Sequence, residues 1–209
     1  MLRSLVGSEM CIRDSTITSL YLTKRNIESI EEWSENKYVT VTKNNIEAVK
    51  KSDILIFSVQ PNQFEEILNE INTHLTNKHI IISTITGFHI NRIESVIGNK
   101  IPIIRSMPNT AISVGKSMTC LCSNEIGEKR IDIASAIFNG LGNSIIIKEN
   151  DMQAATVLCA SGIAFWMRII RAMTQGGIQL GFEASEAMKM STFTALGASS
   201  LLLENNSSH

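Results

Sequence analysis

Apolar and polar positions follow two alternating rhythms over the first three-quarters of the chain and a single rhythm after that. Short runs rich in Ile, Val and Leu predict strands at 17–22, 38–42, 53–59, 79–86 and 101–104. Between them, apolar residues recur at helical spacing. Phe64, Ile67, Leu68, Ile71 and Leu75 mark one helix, and Ile90, Ile93 and Ile97 a shorter one. Residues 27–34 predict one or two turns, and Asn44 or Asn45 can cap a short helix ending at Lys51. The run 53–59 is so continuously apolar that it predicts a strand covered on both faces. Residues 117–122 and 144–147 predict two more strands around a helix at 126–140, which Gly140-Leu141-Gly142 stops.

Strands alternating with helices predict an α/β fold with a doubly wound, Rossmann-type parallel sheet. From Asp151 onward β-branched clusters thin out, and Ala and Met dominate. One helix is expected over 152–180, interrupted at Ser161-Gly162 and at Gly176-Gly177, and a second over 184–203. Two long apolar helices cannot cover one another completely, so contact with another subunit is expected. The segmentation is therefore 16–149 for a partial dinucleotide-binding domain and 150–209 for an all-helical dimerisation domain. Residues 1–15 (MLRSLVGSEMCIRDS) lack the apolar core of a signal peptide and match neither rhythm. They are read as an artefactual or foreign extension, and the polar stretch 205–209 as the start of a loop cut short.

Composition narrows the class. The chain has 209 residues, 44% hydrophobic and 19% charged, with a net charge of −1. That balance gives no basic surplus for nucleic acid. No uninterrupted apolar run approaches the roughly 18 residues of a membrane span, so no membrane is expected as a partner. Four cysteines (Cys11, Cys120, Cys122, Cys159) and scattered histidines form no zinc-type spacing. They are read as structural or surface thiols in a reducing, cytoplasmic compartment, with no metal.

The chemistry is concentrated at predicted strand ends, where open α/β sheets bind ligands. Ile103-Ile104-Arg105-Ser106 leads into Met107, Pro108, Asn109 and Thr110, and Pro108 forces the chain to turn where the strand stops. Val59, Gln60 and Pro61 end one strand, and Thr86 and Gly87 another. Thr23, Lys24 and Arg25 follow the first strand seen. A carboxylate there would hold a ribose 2′-hydroxyl, whereas hydroxyl and cationic groups suit a 2′-phosphate. This favours NADP, with NAD as the alternative. A nucleotide site of this kind normally also carries G-x-G-x-x-G, and the chain has none; Gly7 stands alone. If 17–22 is the second strand of the fold, the first strand, phosphate loop and first helix are absent. The sheet is then incomplete at its N-terminus and split.

Several of these segments, in order, resemble pyrroline-5-carboxylate reductases. Arg105-Ser106-Met107-Pro108-Asn109-Thr110 is similar to the family's R-x-M-P-N-T turn, with Ala111 where Pro is usual. Ser58-Val59-Gln60-Pro61 resembles A-V-K-P, with Gln60 in place of Lys. Ser83–Gly87 resembles S-x-x-A-G. Ser161-Gly162-Ile163-Ala164-Phe165 resembles S-G-P-A-Y, and Gly176–Gly181 resembles G-G-x-x-x-G. The resemblance implies NAD(P)H-dependent reduction of 1-pyrroline-5-carboxylate to L-proline, an oxidoreductase step at a C=N bond in proline biosynthesis. It also implies a homodimer or larger homo-oligomer formed through the C-terminal helices, and Ser161 and Gly162 are read either as near the substrate or as a helix kink. The family's substrate-carboxylate loop falls beyond His209, so no catalytic acid is assigned and the 209-residue chain is expected to turn over little. Two alternatives stand beside this. One is a non-catalytic dimerising fragment. The other is a different dehydrogenase with a helical second domain, which would carry a Lys on the long helix, where this chain has Arg168 and Arg171.

Overall fold

A computed structural model describes residues 18–204. The extension at 1–15, the start of the first predicted strand and the polar stretch at 205–209 lie outside the described residues. The chain divides into two compact units, one ending at Ala160 and the other beginning at Ser161.

The first unit holds two sheets. Strands β1 (Leu20–Thr23) and β2 (Val39–Thr42) pair in parallel, Leu20 opposite Val39 and Thr23 opposite Thr42. Leu22 and Val39 close over Ile30 as a small separate core. The segment between them, where one or two turns of helix were expected, is a 3₁₀ helix, Glu28–Glu35. Its only buried residue is Ile30, and like charges at Glu28, Glu31, Glu32 and Glu35 oppose α-helical spacing.

The second sheet orders β3 (Ile54–Phe57), β4 (Ile80–Ser83), β5 (Ile103–Met107), β6 (Ser117–Ser123) and β7 (Gly142–Ile146) in sequence. β3, β4 and β5 are parallel. β6 runs antiparallel to β5, and β7 parallel to β6. The reversal has a simple cause. Only residues 108–116 join β5 to β6, which is shorter than the dozen or so a parallel crossover requires. That connection closes as a 3₁₀ turn (Thr110–Val114) ending on Gly115 at φ +66°. Among the described residues β1–β2 and β3–β7 share no ladder, so the sheet is split as expected.

Helices cover both faces of the larger sheet. α1 (Asn45–Lys50) is capped by Asn44, whose side-chain oxygen accepts from the Glu47 N–H at 3.0 Å. α2 (Pro61–Ile71) and α3 (Ile90–Ile97) bury Phe64, Leu68, Ile71, Ile93 and Ile97 against Ile81 and Ile103. α4 (Ile131–Asn139) buries Ile131, Ala134 and Phe138 against Ile82, Ile104 and Leu121 on the other face. β3 departs from expectation. Among the described residues it is an edge strand of this sheet, and Ile56 is 46% exposed, so only the Leu55–Phe57 face is covered.

After β7 the backbone is helical from Glu149 to Gln179. α5 (Met152–Ala155) widens into a π-helical turn at Thr156–Ser161, where a break was predicted. The second unit comprises α6 (Gly162–Gln179) and α7 (Ala184–Glu204). Gly176-Gly177 does not interrupt α6. Gly177 instead lets α7 approach, since a Cβ there would lie 2.9 Å from the Ala187 Cβ. Phe165, Trp166, Phe193 and Leu196 remain exposed. As one uninterrupted helix, 149–179 has the length and apolar composition of a membrane span, which no unbroken apolar run in the sequence predicted.

Candidate functional site

The C-terminal ends of β3 and β4 lie level, Phe57 opposite Ser83, and β5 runs two residues further, from Arg105 opposite Ser83 to Met107. The residues that follow each strand therefore emerge on one rim. Thr84 fixes the first two ends together: its N–H and its hydroxyl both donate to the Phe57 carbonyl at 3.0 Å. Ser58, Val59, Gln60 and Pro61 then turn directly into α2. Gln60 and Gln63 form a reciprocal capping box, Pro61 takes the first helical position, and no acidic side chain occupies the first turn. The N-terminal dipoles of α2 thus meet no carboxylate of their own turn, as an anion site requires.

At the end of β4, Gly87 adopts φ +75°, a conformation that permits the chain to turn sharply at Thr86-Gly87. The Thr86 hydroxyl donates to Met107 Sδ at 3.8 Å, linking that turn to β5. Met107 is buried, and Pro108 then directs the chain to Asn109 and Thr110. Asn109 organises this turn. Its N–H donates to Ser117 Oγ at 3.1 Å, its Oδ1 accepts from the Ala111 N–H at 3.0 Å, and its Nδ2 donates to the Cys159 carbonyl at 3.1 Å. The side chain predicted to face a ligand is thus largely engaged in holding the turn.

Thr23, Lys24 and Arg25 stand on the separate two-stranded sheet. Lys24 continues the ladder through its N–H to the Thr42 carbonyl at 3.4 Å. Arg25 reaches across to α2, its Nη2 lying 2.5 Å from Glu66 Oε2, with both side chains well exposed. Ser161 and Gly162 begin α6 in the second unit, Ser161 at the N-cap position without a side-chain capping bond.

Arg105 was not among the predicted site residues. It is 4% exposed, and its Nη1 donates to Glu149 Oε1 at 2.8 Å. The same oxygen accepts the Ile90 N–H at 2.7 Å, so one carboxylate joins β5, the start of α3 and the start of the 149–179 helix. An Arg inside a buried strand signals that a partner is required, but the sequence does not say which carboxylate. Nearby, burial pushes the Cys122 thiol up to about 11, despite the Arg105 charge opposing the shift. A cavity of about 580 Å³ lies between Glu94, Lys100, Ser123 and Glu149. None of the predicted site residues lines it.

The rim fits a nicotinamide dinucleotide. It offers the hydroxyls of Thr86 and Thr110, strand-end backbone and a helix N-terminus free of acidic residues, while Lys24 and Arg25 stand at the end of β1 on the separate two-stranded sheet, Arg25 paired with Glu66.

Comparison with known proteins bears on this arrangement. Residues 149–209 match the family model for pyrroline-5-carboxylate reductase dimerisation. Residues 9–87 match one described as NADP oxidoreductase, coenzyme F420-dependent. Pyrroline-5-carboxylate reductase 1 of Dictyostelium discoideum is 42% identical over 199 residues, covering 90% of this chain and 36% of the relative. Pyrroline-5-carboxylate reductase 2 of the same organism is 36% identical over 203 residues, covering 90% of this chain and 68% of the relative. The chain thus spans about a third of one and two-thirds of the other. Among solved structures, a pyrroline-5-carboxylate reductase from Coxiella burnetii superposes with a TM-score of 0.90 at 26% identity, covering 99% of this chain and 77% of that one. The Plasmodium falciparum pyrroline carboxylate reductase with NADP bound gives 0.81 at 24%, covering 95% and 73%.

Proposed function

The chain belongs to the pyrroline-5-carboxylate reductase family, and on that footing we propose that it serves the reduction of 1-pyrroline-5-carboxylate to L-proline with NADPH. The observation that carries this reading is the rim at the C-terminal ends of the parallel strands β3, β4 and β5, where Thr84 joins the first two ends and Thr86 joins the second to Met107. The nicotinamide, when bound, supplies the hydride. The chain's own residues bind and orient. Val59, Gln60, Pro61, Thr86, Gly87, Met107, Pro108 and Thr110 form the rim, and Asn109 fixes the height of its last turn through Cys159 and Ala111. Lys24 and Arg25 favour a 2′-phosphate, hence NADP over NAD, in keeping with the NADP carried by the Plasmodium falciparum relative. Ser161 and Gly162 are assigned near the substrate by family resemblance. No side chain is assigned as catalytic acid. The exposed apolar residues of α6 and α7 are read as a homodimer interface, in keeping with the dimerisation model that matches this segment.

Deuteride transfer tests the reaction. NADPH deuterated at the nicotinamide C4 should deliver label to the new C–H bond of proline, read by mass spectrometry. Loss of the NADPH absorbance without labelled proline would point to a different imine or carbonyl substrate.

A further inference from the structure

Cys120 and Cys159 are 39 positions apart in sequence, yet their sulfurs lie 3.7 Å from one another. Cys120 is 2% exposed in the middle of β6, held between Met107 on β5 and Ile145 on β7. Cys159 is half-buried in the π-helical turn Thr156–Ser161 and packs on the same core. Its carbonyl is the one that receives the Asn109 amide. Both thiols are free.

We propose that Cys120 and Cys159 are an oxidative modification site, forming a reversible disulfide that ties the π-helical turn to β6 beside the Asn109 turn. A disulfide brings its sulfurs to about 2.0 Å, so the pair must close by under 2 Å, which side-chain rotation can supply. The oxidant is hydrogen peroxide. Cys159, the more accessible sulfur, attacks as thiolate; the O–O bond breaks, leaving a sulfenic acid and releasing hydroxide that is protonated to water. The Cys120 sulfur then attacks the sulfenic sulfur. The S–O bond breaks and the departing hydroxide leaves as water with the Cys120 proton. Two electrons pass from the two thiols to the peroxide, giving one disulfide and two waters. The order follows from burial, which pushes the Cys120 thiol up to about 12 and makes it a poor first nucleophile.

The test uses the whole 209-residue protein, reduced, exposed to hydrogen peroxide, alkylated and mapped by mass spectrometry. The expected result is a Cys120–Cys159 linked peptide, loss of two of the four thiols, and their return with dithiothreitol. Cys159→Ser should leave Cys120 open to alkylation after peroxide, and Cys122→Ser should leave the cross-link intact. The oxidised protein should melt higher than the reduced one, a difference that Cys159→Ser or Cys120→Ala each abolishes, so either variant alone suffices if the other does not fold. Cross-linking through Cys122 or Cys11 instead, arrest of Cys159 as sulfinic acid, or retention of all four thiols would overturn the proposal.

Discussion

Arg105 and Glu149 form a pair 2.8 Å long between the middle of the sheet and the start of the long helix, with the arginine side chain almost completely buried. Removing one partner strands the other. Arg105→Ala should cost about 3 kcal/mol, the lower end for a broken buried pair because Glu149 reaches solvent. Glu149→Gln keeps an acceptor for the Ile90 N–H but leaves the buried Arg105 charge without a counter-charge, and should cost more, about 3–5 kcal/mol. Urea unfolding of the two variants checks the order as well as the size.

Asn109 is the second joint. Asn109→Asp retains the acceptor for the Ala111 N–H but sets a carboxylate oxygen against the Cys159 carbonyl, two acceptors with no proton between them. A loss of about 1–3 kcal/mol follows. The rim should loosen with it, so NADPH affinity measured by calorimetry should fall more than it does for Ser113→Ala in the same loop.

Two glycines should respond in opposite directions. Gly142 opens β7 at φ +146°, where a Cβ would sit 2.1 Å from the Ser117 carbonyl oxygen. Gly142→Ala should cost roughly 3 kcal/mol or more, or yield insoluble protein. A Cβ on Gly176 meets nothing within 4 Å inside α6. Gly176→Ala should stabilise by about 0.5–1 kcal/mol on helix propensity alone. Thermal melts of the pair separate backbone demand from sequence resemblance.

Alkaline pH should weaken the fold. Burial raises Cys120 to about 12 and Cys122 to about 11 from an ordinary 9.0. The folded state therefore holds these protons more tightly than the unfolded chain. Their contribution is fully present below pH 9 and is lost as pH rises through 11 to 12. The urea midpoint should hold steady to about pH 8.5 and then fall, and Cys122→Ala should flatten part of that fall.

What the sequence made legible follows from where the physics is local. Helical spacing placed α2 and α3 because their core residues repeat every three or four positions. Gln60-Pro61 and Pro108 marked strand ends because Pro restricts its own and its neighbour's backbone. Non-local facts were not legible. The apolar run at 53–59 does not reveal that β3 is a sheet edge, since that depends on which strands pair. Nor does Arg105 name Glu149, 44 residues away. The glycine pair at 176–177 signals a helix break by propensity, yet it is a close approach to Ala187 that uses it. Asn109 was singled out as a cofactor contact, and three of its polar groups serve the fold of its turn.

The central claim is the proposal that the rim at the ends of β3, β4 and β5 holds the cofactor of an NADPH-dependent reduction. The direct test is NADPH binding to the soluble, folded protein, measured by calorimetry beside Gln60→Glu and Thr110→Glu, which each set a carboxylate on the rim. Binding that both substitutions weaken is the predicted result. Binding that neither substitution changes would contradict it.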